Sequence, residues 1–191
     1  MGEIIERLRR TGEEFGSLVA EVATDQWAAP TPCGDWDVAD LVRHVVMGNR
    51  IFIGAMTGSP VSPQAFFEEY SAHGPRLLPG DARDSMADLV TAFQRPDVMQ
   101  RPVAIPIGTV PGEVAAHIRV VENVVHGWDL ATSVGRRASF EEADIEAALA
   151  FTERARGIVP SDRRPFADPV PTEADAPALD RLVALLGRHP H

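Results

Sequence analysis

Apolar residues recur every three or four positions along most of this chain, and stretches rich in proline and glycine separate the repeating segments. Such spacing places the apolar side chains on one face of a helix. Proline and glycine interrupt helices because they remove or redirect the backbone hydrogen bonds. The pattern therefore predicts an all-α fold, a helical bundle formed by one domain over residues 1–191.

The stretches rich in proline and glycine set the predicted boundaries of the helices. Helices are predicted over about residues 3–22, from a cap at Asp35 or Asp37 to about Thr57, over Asp81 to about Gln94, from Pro111 to near Gly135, from Ser139 to about Gly157, and over Asp175 to Leu186. Residues 58–80 are predicted to form a long connection with a helical turn or two. The three prolines within residues 101–111 favour a short extended segment or hairpin, away from the centre of any sheet.

Glu122 and His126 lie four residues apart in the fourth predicted helix. Residues at this spacing project from the same face, with their Cβ atoms roughly 5–6 Å apart. A divalent ion can bridge a carboxylate oxygen and an imidazole nitrogen at about 2.0–2.2 Å from each. The pair therefore predicts two ligands of a metal site, although it is also compatible with a simple surface ion pair.

A third ligand is expected from His44, which falls on the apolar face of the second predicted helix between Leu41 and Gly48. An imidazole in apolar surroundings needs a polar partner. Two histidines and a carboxylate leave coordination positions open, as catalytic metal sites do. The alternative is that His44 is a hydrogen-bonded residue of the core.

Other residues with suitable chemistry lie close to these three in the sequence. Asp129, three residues after His126, is interpreted as an acceptor that fixes the imidazole, with direct metal ligation as the alternative. Cys33 is either a reactive thiol near a helix start or a small buried apolar residue. Trp36 and Trp128 are predicted to anchor the core, and His73 to approach the site only if its loop folds over it.

Composition excludes several other classes of protein. A net charge of −10 without a clustered basic face disfavours nucleic acid or an anionic membrane as the partner. The acidic residues near Met1 interrupt any apolar run, so neither a signal peptide nor a membrane anchor is predicted. The single cysteine, Cys33, forms no internal disulfide and agrees with a reducing compartment. We therefore expect a cytoplasmic protein.

The motifs around these residues resemble those of one family. They are Pro32–Trp36, Leu41–His44 and Glu122–Leu130, with a further likeness at Phe166–Pro171 and Leu182–Arg188. Together they resemble the metal-binding helical domain of mycothiol-dependent maleylpyruvate isomerase and its DinB-like relatives in actinobacteria. The resemblance implies a DinB-like four-helix bundle in which His44, Glu122 and His126 hold a divalent metal. Zinc is the first expectation, and nickel, manganese and iron are the alternatives.

The resemblance also implies a chemistry. The isomerase has a further C-terminal domain for which this chain has too few residues, so we expect the metal pocket to carry over rather than maleylpyruvate isomerisation itself. We expect a low-molecular-weight thiol, mycothiol or bacillithiol, to be transferred to a small electrophile or to help isomerise it. The alternatives are a non-catalytic stress protein that binds metal or a small ligand, and an iron(II) enzyme of the two-histidine, one-carboxylate type. A homodimer is compatible with the amphipathic helices.

Overall fold

The computed structural model describes residues 2–62, 64, 66, 68, 74–158 and 166–190. The chain divides into two compact units, Met1–Ala138 and Ser139–His191. The expectation of one domain over residues 1–191 stays a prediction. Within the described residues, no helix is both long enough and apolar enough to cross a membrane.

Helices dominate both units. Six α-helices lie within the described residues: α1 (Gly2–Ala20), α2 (Val38–Thr57), α3 (Leu78–Phe93), α4 (Gly112–Ser133), α5 (Glu142–Ile158) and α6 (Ala178–Leu185). A 3-10 turn at Pro75–Leu77 precedes α3, and strands β1 (Pro102–Ile105) and β2 (Gly108–Pro111) precede α4. The two strands pair antiparallel, with Val103 opposite Val110. The predicted all-α class and the small hairpin are both confirmed.

The first unit is a four-helix bundle, as predicted. Helices α1 and α2 each pack against both α3 and α4, so that the four apolar faces enclose one core. Its largest fully buried apolar side chains on these helices are Leu8, Phe15, Leu41, Met56, Leu78, Leu89, Phe93 and Leu130. Burying such a side chain contributes about 1.5–3 kcal/mol. The second unit pairs α5 with α6.

The start of α2 fixes the loop that precedes it. Asp37 is the helix cap, and its carboxylate accepts a hydrogen bond of 2.8 Å from the backbone N–H of Asp40. An isolated antiparallel bridge joins Pro30 to Asp37. The loop between them is thereby closed, and Cys33 and Trp36 lie beside the first turns of α2.

Two helix starts differ from the sequence prediction. Helix α5 begins at Glu142 and not at Ser139, because the carbonyl of Glu141 accepts the first helical hydrogen bonds, from Asp144 and Ile145. Helix α3 begins at Leu78, three residues early, since Pro79 fits the first turn of a helix, where its missing N–H costs nothing.

Part of the connection over residues 58–80 is described. Phe66 is buried and packs in the core of the bundle, and its backbone N–H bonds to the carbonyl of Ser62 at 3.0 Å. His73, which was expected to reach the site only by loop folding, lies outside the described residues, as do most of the predicted helical turns.

Candidate metal centre

Helix α4 carries Glu122 and His126 on consecutive turns, and both side chains are buried. The Oε2 atom of Glu122 lies 3.3 Å from Nε2 of His126. Their side chains are 11% and 3% exposed, respectively. A carboxylate so far removed from water requires compensation by positive charge or hydrogen bonds. The imidazole of His126 supplies part of this compensation. Because both side chains are buried, the pair is not an exposed contact on the helix surface.

His44 reaches the same carboxylate from α2. Its Nε2 atom lies 3.2 Å from the same Oε2 atom of Glu122, although the two residues are 78 positions apart. The donor atoms of His44, Glu122 and His126 all lie within 4.8 Å of one another. Nitrogen and oxygen donors around a tetrahedral ion lie about 3.3 Å apart. The observed separations of 3.2 and 3.3 Å therefore fit a divalent ion.

The cluster is open on one side. The side chain of His44 is 29% exposed, whereas that of His126 is 3% exposed. Solvent and small molecules can therefore approach from the His44 side. An approachable group of three donors is the arrangement that allows an exogenous ligand to complete the coordination.

Asp129 supports the cluster from behind His126. Its Oδ2 atom lies 3.0 Å from Nδ1 of His126, and the carboxylate is completely buried. A proton on Nδ1 that is donated to this carboxylate leaves the lone pair of Nε2 directed at Glu122 and His44. Carboxylates in this position orient metal-ligating imidazoles and raise their basicity.

Cys33 reaches the same carboxylate from the loop before α2. Its S–H donates to Oδ2 of Asp129 at a distance of 3.0 Å, and Sγ lies 3.8 Å from Nδ1 of His126. The thiol is half-buried. Cys33 therefore contacts the site through its polar atom and does not serve only as an apolar filler.

Trp36 packs against both imidazoles. Its ring centroid lies 4.7 Å from that of His44 and 6.3 Å from that of His126, while the two imidazoles lie 5.0 Å apart, edge to face. The sequence predicted a core anchor at Trp36. The structure gives it a further role, as an apolar wall beside the donor atoms.

Arg119 was missed by the sequence analysis. This side chain is 2% exposed, and its Nη1 atom lies 3.8 Å from Oε2 of Glu122. Its Nη2 atom donates to Oδ1 of Asn49 at 2.8 Å and to the carbonyl of Val45 at 3.3 Å. An arginine within an apolar helical run, one turn before Glu122, is the sequence signal that could have identified it.

Burial and hydrogen bonds set the protonation of the three donors. Burial lowers the pKa of His44, and the hydrogen bond with Glu122 only partly opposes it. Burial by itself would raise the pKa of Glu122, but hydrogen bonds with His126 and His44 hold it well below its usual range. Burial by itself would lower the pKa of His126, whereas the hydrogen bond with Asp129 raises it well above that of a free imidazole. Without metal, the proton of the cluster is therefore on His126.

The structure thus brings together His44, Glu122 and His126, with Asp129 and Cys33 behind them. Asp129 lies within hydrogen-bond distance of His126, which is the position predicted for it. Trp128, the other predicted anchor, is half-buried. His117, also on α4, is half-buried and does not belong to either donor group found among the described residues.

Comparison with known sequences identifies one family. Residues 8–131 match the family model described as the mycothiol maleylpyruvate isomerase N-terminal domain. An uncharacterized protein of Mycobacterium tuberculosis is 34% identical over 184 residues, which span 94% of each chain. A second uncharacterized protein of that organism is 24% identical over 200 residues, covering 94% of this chain and 75% of its own. The matched range contains all the residues of the cluster.

Two solved structures share the fold. The crystal structure of mycothiol-dependent maleylpyruvate isomerase superposes with a TM-score of 0.62, and that of a histidine-to-alanine mutant of the enzyme with 0.65. Each is 23% identical to this chain and covers 79% of it, which corresponds to 67% of the solved chain. The four-helix bundle is therefore that of the solved enzyme.

Proposed function

Because this chain belongs to the mycothiol maleylpyruvate isomerase N-terminal domain family, we propose that it is a metal-dependent enzyme that uses mycothiol. The thiol is transferred to a small electrophilic substrate or assists its isomerisation. The observation that supports this proposal most strongly is the convergence of His44, Glu122 and His126 on one point that is open to solvent.

The three donors suit a divalent ion. Two imidazole nitrogens and one carboxylate oxygen match the preferences of zinc, which is the first expectation, and also those of nickel, manganese and iron(II). An ion held there supplies one piece of chemistry, since it favours the thiolate form of a coordinated thiol at neutral pH. Three protein donors leave room for that thiol beside His44.

The other residues of the site position these donors. Asp129 accepts the Nδ1 proton of His126 and so keeps Nε2 available as a donor. Arg119 balances the charge of Glu122 within the bundle. The ring of Trp36 covers His44 and excludes water from one side of the site. A drier site strengthens the electrostatic interactions within it.

The thiol sulfur then forms a bond with an electrophilic carbon of the substrate, and the thiol proton passes to solvent. In a transfer reaction the leaving group departs with its electron pair, and the product is a thioether. In an isomerisation the sulfur adds to one carbon of a conjugated double bond, and the π electrons of that bond move onto the conjugated carbonyl oxygen. After rotation about the resulting single bond, these electrons re-form the double bond as the thiolate departs, and the thiolate takes up a proton from solvent. Both outcomes need the same three donors.

Metal content is the first test. Wild type and His126→Ala are purified side by side, without chelator or histidine tag, and their metal is measured by mass spectrometry. About one equivalent in wild type and a large loss in the variant are expected, because a ligand is removed. Metal absent from both proteins would contradict the proposal.

Turnover separates the enzyme from the binding-protein alternative. Purified protein is given mycothiol and a haloalkyl electrophile, and thioether formation is followed against His44→Ala as control. Turnover in wild type that falls in the variant supports the enzyme. Stoichiometric metal without any thiol consumption would favour a non-catalytic stress protein, and oxygen consumption that depends on added iron(II) would favour the iron enzyme.

Two further expectations belong to this proposal. A cytoplasmic location agrees with the need for a reduced thiol cosubstrate and with the single cysteine, Cys33. A homodimer is checked by light scattering of the purified full chain, and a mass of about 20.7 kDa would contradict it.

A further inference from the structure

The imidazole of His126 faces a different set of polar atoms at each of its two nitrogens. Nε2 faces Glu122, 3.3 Å away, which in turn contacts His44. Nδ1 faces Asp129 at 3.0 Å and Cys33 at 3.8 Å. Each set, completed by His126 itself, has its donor atoms within 4.8 Å of one another.

We propose that Cys33, His126 and Asp129 form a second metal site, selective for thiophilic ions such as cadmium and zinc. The donors are Sγ, Nδ1 and Oδ2. This site does not depend on the proposed enzymatic function, because two of its three donors, Cys33 and Asp129, are not donors of the His44 cluster. Thiolate is the softest protein donor, and it favours soft or borderline ions over magnesium, calcium or manganese.

The separations of the three donors fit such an ion. They are 3.0 Å for Sγ to Oδ2, 3.8 Å for Sγ to Nδ1 and 3.0 Å for Nδ1 to Oδ2. Tetrahedral coordination at about 2.0–2.3 Å requires donor separations of about 3.3–3.6 Å. Each observed separation needs to change by no more than about 0.5 Å, which requires small side-chain rotations of both Cys33 and Asp129.

Charge also favours the site. A divalent ion that displaces the thiol proton of Cys33 to solvent, beside the carboxylate of Asp129, forms a neutral complex with one thiolate and one carboxylate. A neutral complex is far less costly to bury than an isolated charge. Asp129 is completely buried, so this balance matters. Cys33 is half-buried and lies in a loop, so this donor is partly accessible to an entering ion.

The two sites compete for one ring. A neutral imidazole has one N–H and one lone pair. An ion at Nδ1 moves the ring proton to Nε2, where it is donated to Glu122. His126 can therefore serve the His44 side or the Cys33 side, but not both unless it loses its second proton. A thiophilic ion bound by Cys33 thus displaces metal from the His44 side.

Cadmium titration of the metal-free full chain tests the site. Cys33 is the only cysteine in the sequence, so any sulfur-to-metal charge-transfer absorption in the ultraviolet reports on this residue. We expect a band that saturates at about one equivalent in wild type and is absent in Cys33→Ser. The affinity should fall by at least about tenfold in Asp129→Asn, since a ligand is weakened.

Asp88→Asn is the matched control, because Asp88 is an exposed aspartate paired with Arg50 and belongs to neither donor group. The band should keep its affinity within about threefold there. Far-ultraviolet circular dichroism verifies that each variant is folded, and protection of the thiol from alkylation by cadmium provides a second measurement. No band in wild type, an unchanged affinity in Asp129→Asn, or a band lost in Asp88→Asn would each overturn the site. If wild type shows no band but binds metal normally on the His44 side, the second site is overturned and the proposed function is not.

Discussion

The guanidinium of Arg119 lies 3.8 Å from Oε2 of Glu122, one turn later on the same helix, and is shielded from water. The same guanidinium donates to Asn49 and to the backbone of Val45 on α2. It therefore joins the helix of Glu122 to the helix of His44. This one cation therefore helps to hold the two ligand-bearing helices together.

Replacing Arg119 by methionine should destabilise the protein by about 3 kcal/mol. The carbonyl of Val45 and the amide of Asn49 lose their donor, and the buried carboxylate of Glu122 loses part of its compensation. Urea unfolding followed by circular dichroism measures the change. Arg83→Met is the control, because that side chain is 75% exposed and its loss should cost within about 0.5 kcal/mol. Equal effects would contradict the structural role of Arg119.

Two helical glycines should respond oppositely to alanine. A Cβ at Gly48 would strike the guanidinium of Arg119, which is held by partners on α2, so Gly48→Ala should cost about 1–3 kcal/mol. At Gly16 the space for a Cβ is free of described atoms within 4 Å. Gly16→Ala should therefore stabilise α1 by about 0.5–1 kcal/mol. The same denaturant titration compares them, and stabilisation by both would show that Arg119 moves freely.

Asp129→Asn should weaken metal binding by about 10–100-fold without loss of the fold. The amide oxygen can still accept the Nδ1 proton, but the negative charge that raises the basicity of His126 is gone. Competition with a chromogenic chelator measures the affinity. Asp88→Asn, an exposed aspartate paired with Arg50, is the control and should bind like wild type.

Metal binding at pH 7 should release about one proton. Burial holds the pKa of His44 below its ordinary value, and the pKa of Glu122 is also low, so neither has a proton to lose. The pKa of His126 is raised, mainly by Asp129 against the effect of burial, so this ring is protonated until metal displaces its proton. Release should therefore decline as the pH rises through that pKa. Calorimetry in buffers of different ionisation enthalpy counts the protons, and a count near zero at pH 7 would contradict this assignment.

The helices were predicted from the sequence, as was the approach of His44, Glu122 and His126 to one another. Helical periodicity is a local property, and Glu122 and His126 are neighbours by helix geometry alone. Their contact with His44 was inferred from the apolar setting of that residue and from the family resemblance. The structure brings the three together, although whether they bind metal stays a prediction.

Long-range and loop contacts were beyond the sequence analysis. The bonds of Arg119 to Asn49 and Val45 depend on how α4 crosses α2, which no periodicity reveals. Trp36 contacts the imidazoles because the bridge between Pro30 and Asp37 folds its loop back. The predicted start of α5 at Ser139 was also wrong, because the helix begins three residues later, at Glu142.

Arg119, Glu122, His126 and Asp129 come from eleven consecutive positions of α4. Each residue of a helix advances the side-chain direction by about 100°. A single inserted or deleted residue within this stretch would rotate the side chains that follow it by about 100° relative to those that precede it. The four side chains would then no longer face the same site. The same change in the turn at Gln94–Arg101 would leave all four aligned. Among descendants of this gene, insertions and deletions should therefore be almost absent between Arg119 and Asp129.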